Sequence, residues 1–205
     1  MRKNKHLAIG LAAGLLVLAF TSCNPLENES RSNTFIIVEN ILGQDLGGQA
    51  ANFTQSDVVR QGIVYADIAQ ATLRASLLDP APLLPPSQYN DITLTRYVVS
   101  YSRTDGMNRP GVDVPYSFEA SLSLLLRVGA STTFSFVIVR EAAKVEPPLS
   151  NLWNRGWEDV LQVTARIDFY GQDITRREVK ATGYLPIFFA NYADNGSGGG
   201  GGDED

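Results

Sequence analysis

Histidine, cysteine and lysine are the residues this chain nearly lacks. Its one histidine, His6, and its one cysteine, Cys23, both lie in the first 23 of 205 residues. Beyond them, Ser–His–Asp and Cys–His nucleophilic machinery is excluded, because it needs an imidazole to accept the proton. Cys/His zinc sites and most transition-metal sites are excluded with it. Disulfides are excluded too, so packing must stabilise the fold. Beyond residue 5 only Lys144 and Lys180 remain, and neither closes a Ser-x-x-Lys motif. No P-loop occurs, and the Gly198–Gly202 run has no helix after it with which to cradle a phosphate. No cofactor is expected.

What is present begins with an address. Arg2, Lys3 and Lys5 precede an uncharged apolar run from Leu7 to Phe20, too short for the roughly 20 residues that span hydrocarbon as a helix. Phe20-Thr21-Ser22-Cys23 follows, and it resembles the lipobox of bacterial lipoproteins, with Phe20 where an aliphatic residue is usual. The resemblance implies that signal peptidase II cuts after Ser22 and that Cys23 becomes the lipidated N-terminus. Two or three acyl chains, at about 0.8 kcal/mol per buried methylene, would hold the protein on a membrane. Asn24 stands where some inner-membrane lipoproteins carry Asp, which favours the periplasmic face of the outer membrane.

Four segments follow: a signal peptide over 1–22, a lipidated tether over 23–33, a folded domain over 34–194 and a glycine-rich acidic tail over 195–205. The tether and tail have little to bury, and disorder is expected for both. Residues 1–22 hold three of the 17 cations and none of the 22 acids, so 14 cations and 22 acids remain, a net charge of −8. Such a chain suits neither nucleic acid nor an anionic lipid surface. The membrane, through lipid, and an envelope protein or glycan are the partners expected.

Within the domain the apolar residues recur with period two. Leu161, Val163, Ala165, Ile167 and Phe169 share a phase, and Val179, Ala181, Leu185, Ile187 and Phe189 share another. Gly171-Gln172-Asp173 stands between, and the two runs predict an antiparallel hairpin. Phe118 to Val128 alternates likewise, Gly129-Ala130-Ser131 turns the chain, and Thr133 to Arg140 returns it. Ile92 to Arg103 is a further strand. Ala71 to Leu78 is another, and Phe35 to Val38 is a short one that suits an edge. Residues 55–70 stay open: Thr54-x-x-Asp57 suits a helix cap, whereas Gly62 interrupts a helix.

Six or seven strands with little helix predict an all-β fold, a single antiparallel β-sandwich. It resembles immunoglobulin and fibronectin type III domains, without the Cys…Trp…Cys hallmark. The stretches Asn108-Arg-Pro-Gly-Val-Asp-Val-Pro115 and Phe169-Tyr-Gly-Gln-Asp173 are similar to those of small bacterial lipoproteins built as lipobox, tether and immunoglobulin-like domain. That resemblance implies anchor and fold and supplies no site.

Three constellations stand out. Asp105, Asn108 and Asp113 offer oxygen ligands for calcium, but not at EF-hand spacing, and turn chemistry explains the same letters. Glu119, Asp168 and Glu178 would serve a carboxylate-only, glycosidase-like hydrolase, yet each occupies the solvent phase of its strand or run. Trp153 and Trp157 flank Arg155 in Ser150-Asn-Leu-Trp-Asn-Arg-Gly-Trp157; a single turn capped by Ser150 would put both rings on one side. They either plug one end of the sandwich or form a platform for a sugar or a protein. The expected function is a non-catalytic binding or structural module of the cell envelope, with the hydrolase as alternative.

Overall fold

The computed structural model describes residues 32–79, 81 and 87–192. The signal peptide, Ser22, Cys23, the tether up to Arg31 and the tail from 193 lie outside the described residues.

Among the described residues, nine strands form two sheets: β1 (Thr34–Gln44), β2 (Ala50–Ala51), β3 (Thr54–Asp57), β4 (Asp67–Leu77), β5 (Ile92–Ser102), β6 (Phe118–Leu126), β7 (Ser131–Val139), β8 (Leu161–Asp173) and β9 (Glu178–Ala190). One sheet has the order β2-β1-β4-β7 and the other β3-β9-β8-β5-β6. The all-β, two-sheet expectation holds. The antiparallel expectation needs correction, because β3 runs parallel to β9, Thr54 opposite Ile187 and Asp57 opposite Ala190. The reason is a short crossing. After β1 the chain passes to the second sheet within ten residues, and Gly43 permits the approach: a Cβ there would lie 2.4 Å from Phe53 O. The stretch left open is therefore β3, an irregular loop and the start of β4, with no helix in it.

Other departures share this logic of close approach. β1 has 11 residues rather than a short run; its Phe35–Val38 stretch pairs with β4 alone, as suits an edge, and the two-residue β2 covers only Gly43 and Gln44. Gly171 does not end β8; a Cβ there would sit 2.8 Å from Thr93 O, so glycine lets β5 and β8 pair closely. The hairpin turn falls at 174–177 instead, where Asp173 Oδ1 accepts the Thr175 and Arg177 N–H groups. The Gly129 turn does not close a hairpin either. It carries the chain from β6 in one sheet to β7 in the other, with the Gly129 N–H donating to Ala75 O.

The phases are as expected. Val163, Ala165, Ile167 and Phe169 on β8 and Leu185, Ile187 and Phe189 on β9 are buried, while Gln162, Arg166, Lys180 and Tyr184 face out. Rings bridge the sheets at the centre: Tyr97 of β5 meets Phe136 of β7 at 5.2 Å, and Phe136 meets Phe169 of β8 at 5.6 Å, both edge-to-face. Each ring's burial contributes about 1.5–3 kcal/mol. Tyr97 also donates to Val137 O at 3.1 Å and Tyr101 to Ile138 O at 2.7 Å, stitching β5 to the carbonyls of β7.

The two ends of the sandwich differ. At one, Ser32 is buried, Asn33 O accepts the Leu78 N–H, and the β6–β7 and β8–β9 turns gather. This is where the chain enters. The far end holds the β1–β2 turn, the 58–66 loop, the β5–β6 loop and the long β7–β8 connection.

Candidate functional site

The β7–β8 connection builds the far end. It carries a short helix, α1 (Glu141–Lys144), a cis Pro147–Pro148 bond and a 3-10 turn over Leu149–Leu152. Pro148, not Ser150, precedes that turn, and Trp153 ends it. Trp153 is half-buried and packs against the core; its Nε1–H donates to Lys144 O at 2.9 Å, and its own carbonyl accepts from Asn191 Nδ2. Trp157, beyond Gly156, is 60% exposed. Trp153 thus anchors the connection, whereas Trp157 is open to solvent. Arg155 between them is exposed and reaches Asp159 at 3.5 Å.

Trp157 does not stand alone. It lines a groove of about 440 Å³ with Phe53, Val160, Phe188 and Tyr192, where Phe53 and Phe188 meet edge-to-face at 5.9 Å. No local pattern announces this grouping, since Phe53 and Phe188 are 135 positions apart and the parallel β3–β9 pair brings them together.

Beside the groove lies a polar cleft of about 430 Å³ between the β1–β2 turn, β3 and the start of β4. In its wall is Lys144, 1% exposed, whose ammonium donates to Asp67 Oδ1 at 2.9 Å and to Asp57 O at 2.8 Å. Ser56 Oγ donates to the other Asp67 oxygen at 2.5 Å. Burial pushes the Asp67 carboxyl up, against the pull of Lys144 and Ser56. Exposed Arg60 and Tyr65 complete the rim, and Tyr192 and Gln55 line both the cleft and the groove. Thr54 Oγ1, also in the cleft wall, is a buried side-chain oxygen without a hydrogen-bond partner. Neither Lys144 nor Asp67 stood out in the sequence; no local pattern links residues 77 positions apart.

The remaining candidates are engaged elsewhere. Asp105 accepts from the Arg103 guanidinium and the Met107 N–H, which hold its carboxyl below the usual range. Asn108 Oδ1 accepts the Arg103 N–H at 2.6 Å. Asp113 accepts both the Arg109 guanidinium and its N–H, and is likewise lowered. These oxygens are used as turns use them, and no cluster of metal-binding side chains occurs among the described residues. Glu119 on β6 pairs with Arg96 at 3.3 Å. Asp168 on β8 is surrounded by Lys180 at 3.0 Å, Arg166 at 3.2 Å and Thr182 at 2.6 Å; burial raises its carboxyl, and those partners bring it below the ordinary value. Glu178 is exposed at the start of β9. None of the three lines the cleft or the groove.

No protein-family model matches this chain, and no curated protein matches it.

Proposed function

We propose that this chain is a lipid-anchored protein of the bacterial envelope, with an immunoglobulin-like sandwich serving as a non-catalytic binding module. Its anchor is Cys23, after cleavage behind Ser22. The strand order supports the immunoglobulin-like reading: β1-β4-β7 follows the A-B-E order of such domains, and β9-β8-β5-β6 follows G-F-C with a C′ strand added.

One observation carries the binding role. The chain enters at Ser32 at one end, while the groove with Trp157 and the cleft with Lys144 both lie at the other. An anchor attached through residues 23–31 would leave the far end as the part of the domain free to meet a partner. Exposed aromatic surface is the kind that dominates interfaces. The hydrolase alternative lacks such support, since Glu119 and Asp168 are held in ion pairs on the outer face of a sheet and a retaining or inverting pair must face one another across a substrate.

The test has two parts. Cys23→Ala should abolish incorporation of a palmitate analogue and release the protein from the membrane fraction. A photocrosslinking residue at Val160, in the groove, should trap an envelope component, whereas one at Ile174, in the entry-end turn, should not. Trapping at Ile174 alone would overturn the far-end assignment.

A further inference from the structure

We propose that the far end binds a neutral glycan chain, laid across the wall shared by the cleft and the groove, with Tyr65 and Trp157 as its two ring stations. This rests on the far-end binding role and names its ligand class. The geometry is a polar cleft and an apolar groove that share Gln55 and Tyr192 as lining. Tyr65, 54% exposed, lines the cleft, and Trp157, 60% exposed, lines the groove. A sugar ring has one requirement on its faces and another on its rim. Its C–H faces pack on aromatic rings, and its hydroxyls each donate and accept.

The lining meets both requirements. Rings come from Tyr65 and Trp157, and a cationic donor from Arg60; the carboxylates of Asp45 and Asp57, whose Oδ1 atoms already accept the Gln49 and Tyr192 N–H groups, have lone pairs to accept further hydrogen bonds. An apolar ligand in the cleft would desolvate those polar groups without replacing their water, and each one left unmet opposes binding. A polyanion would face Asp45, Asp57 and Asp67, against Arg60 and a lysine already paired to Asp67. A neutral polyol avoids both penalties.

The experiment is a calorimetric titration of the full lipoprotein in detergent with two neutral tetrasaccharides, chitotetraose and cellotetraose, and with dextran sulfate. Saturable binding of a neutral tetrasaccharide is expected, with none of the sulfated polymer. Trp157→Ala and Tyr65→Ala should each weaken it about tenfold, as for loss of one ring contact, without moving the melting temperature. Two results would overturn the glycan: no saturation by either tetrasaccharide up to about 1 mM, the weak end of specific affinity, or binding indifferent to both substitutions. If the glycans fail while the Val160 crosslink persists, the binding module stands and its ligand is not a sugar. If the crosslink fails while a tetrasaccharide binds, it is the protein-partner form of that module that falls.

Discussion

Lys144 and Asp67 meet at 2.9 Å across 77 positions of sequence, and their pairing ties α1 to β4 beneath the cleft. An ion pair this enclosed is weak evidence of net stabilisation, yet breaking it is costly because one charge is left behind. Lys144→Met should destabilise the domain by about 3–5 kcal/mol. Adding Asp67→Leu should recover most of that loss, since a matched apolar pair leaves no orphan charge. Urea unfolding of the two variants is the measurement. Equal loss in single and double mutants would mean that the hydrogen bond from the ammonium to Asp57 O, absent in both, carries the cost rather than the orphan charge.

Trp153 and Trp157 should separate in both stability and optics. Trp153→Ala should cost about 3 kcal/mol, the low end for core aromatic truncation, because the ring packs on the core and anchors Lys144 O. Trp157→Ala should stay within about 0.5 kcal/mol of the parent, as for other surface substitutions. Acrylamide should quench Trp157 readily, so a Trp157→Phe variant should retain only blue-shifted, protected emission.

Glycines give a third comparison. At Gly183 a new Cβ meets the tips of Ile41 and Val38, which can move; at Gly171 it meets the carbonyl of Thr93, which cannot. Gly171→Ala should therefore cost about 1–3 kcal/mol, typical of overpacking, and more than Gly183→Ala. Thermal melts of the two variants decide the order.

Acid should loosen the fold through its lowered carboxylates, with the raised Asp67 working in the opposite sense. Asp105, Asp113 and Asp168 are all lowered in the folded protein. Their unfolded counterparts therefore take up protons first as pH falls. The stability they contribute is complete above the ordinary aspartate value, about 4, and drains away below it. Asp168→Asn should flatten part of that decline in a pH series of denaturant midpoints. An unchanged slope would mean that the cluster around Asp168 has no folded-state preference for the charged form.

The strands that bury one face were legible because period two survives any topology: Ile167 is buried whichever strand lies beside it. What was not legible depends on neighbours. Gly171 looks like punctuation until Thr93 is set against it, and Gly129 looks like a hairpin turn until Ala75 receives its N–H. β3 was hidden because Thr54-Gln-Ser-Asp57 has polar side chains where a buried strand usually has apolar ones; Ser56 is buried by its bond to Asp67. Of the site, Trp157 was visible as an unusual letter. Its companions Phe53, Phe188 and Tyr65, and the lysine beneath them, belong to the tertiary structure alone.

The tyrosines that stitch β5 to β7 bear on how the protein behaves at high concentration. β7 ends its sheet, and its nine residues, Ser-Thr-Thr-Phe-Ser-Phe-Val-Ile-Val, include no charge and no proline. An edge of that composition invites a stray strand to add itself. Here the hydroxyls of Tyr97 and Tyr101 already occupy the carbonyls of Val137 and Ile138, so the most apolar part of the edge offers fewer acceptors to a newcomer. Tyr101→Phe would free the Ile138 carbonyl, and it should lower the concentration at which the folded protein begins to precipitate, read by light scattering.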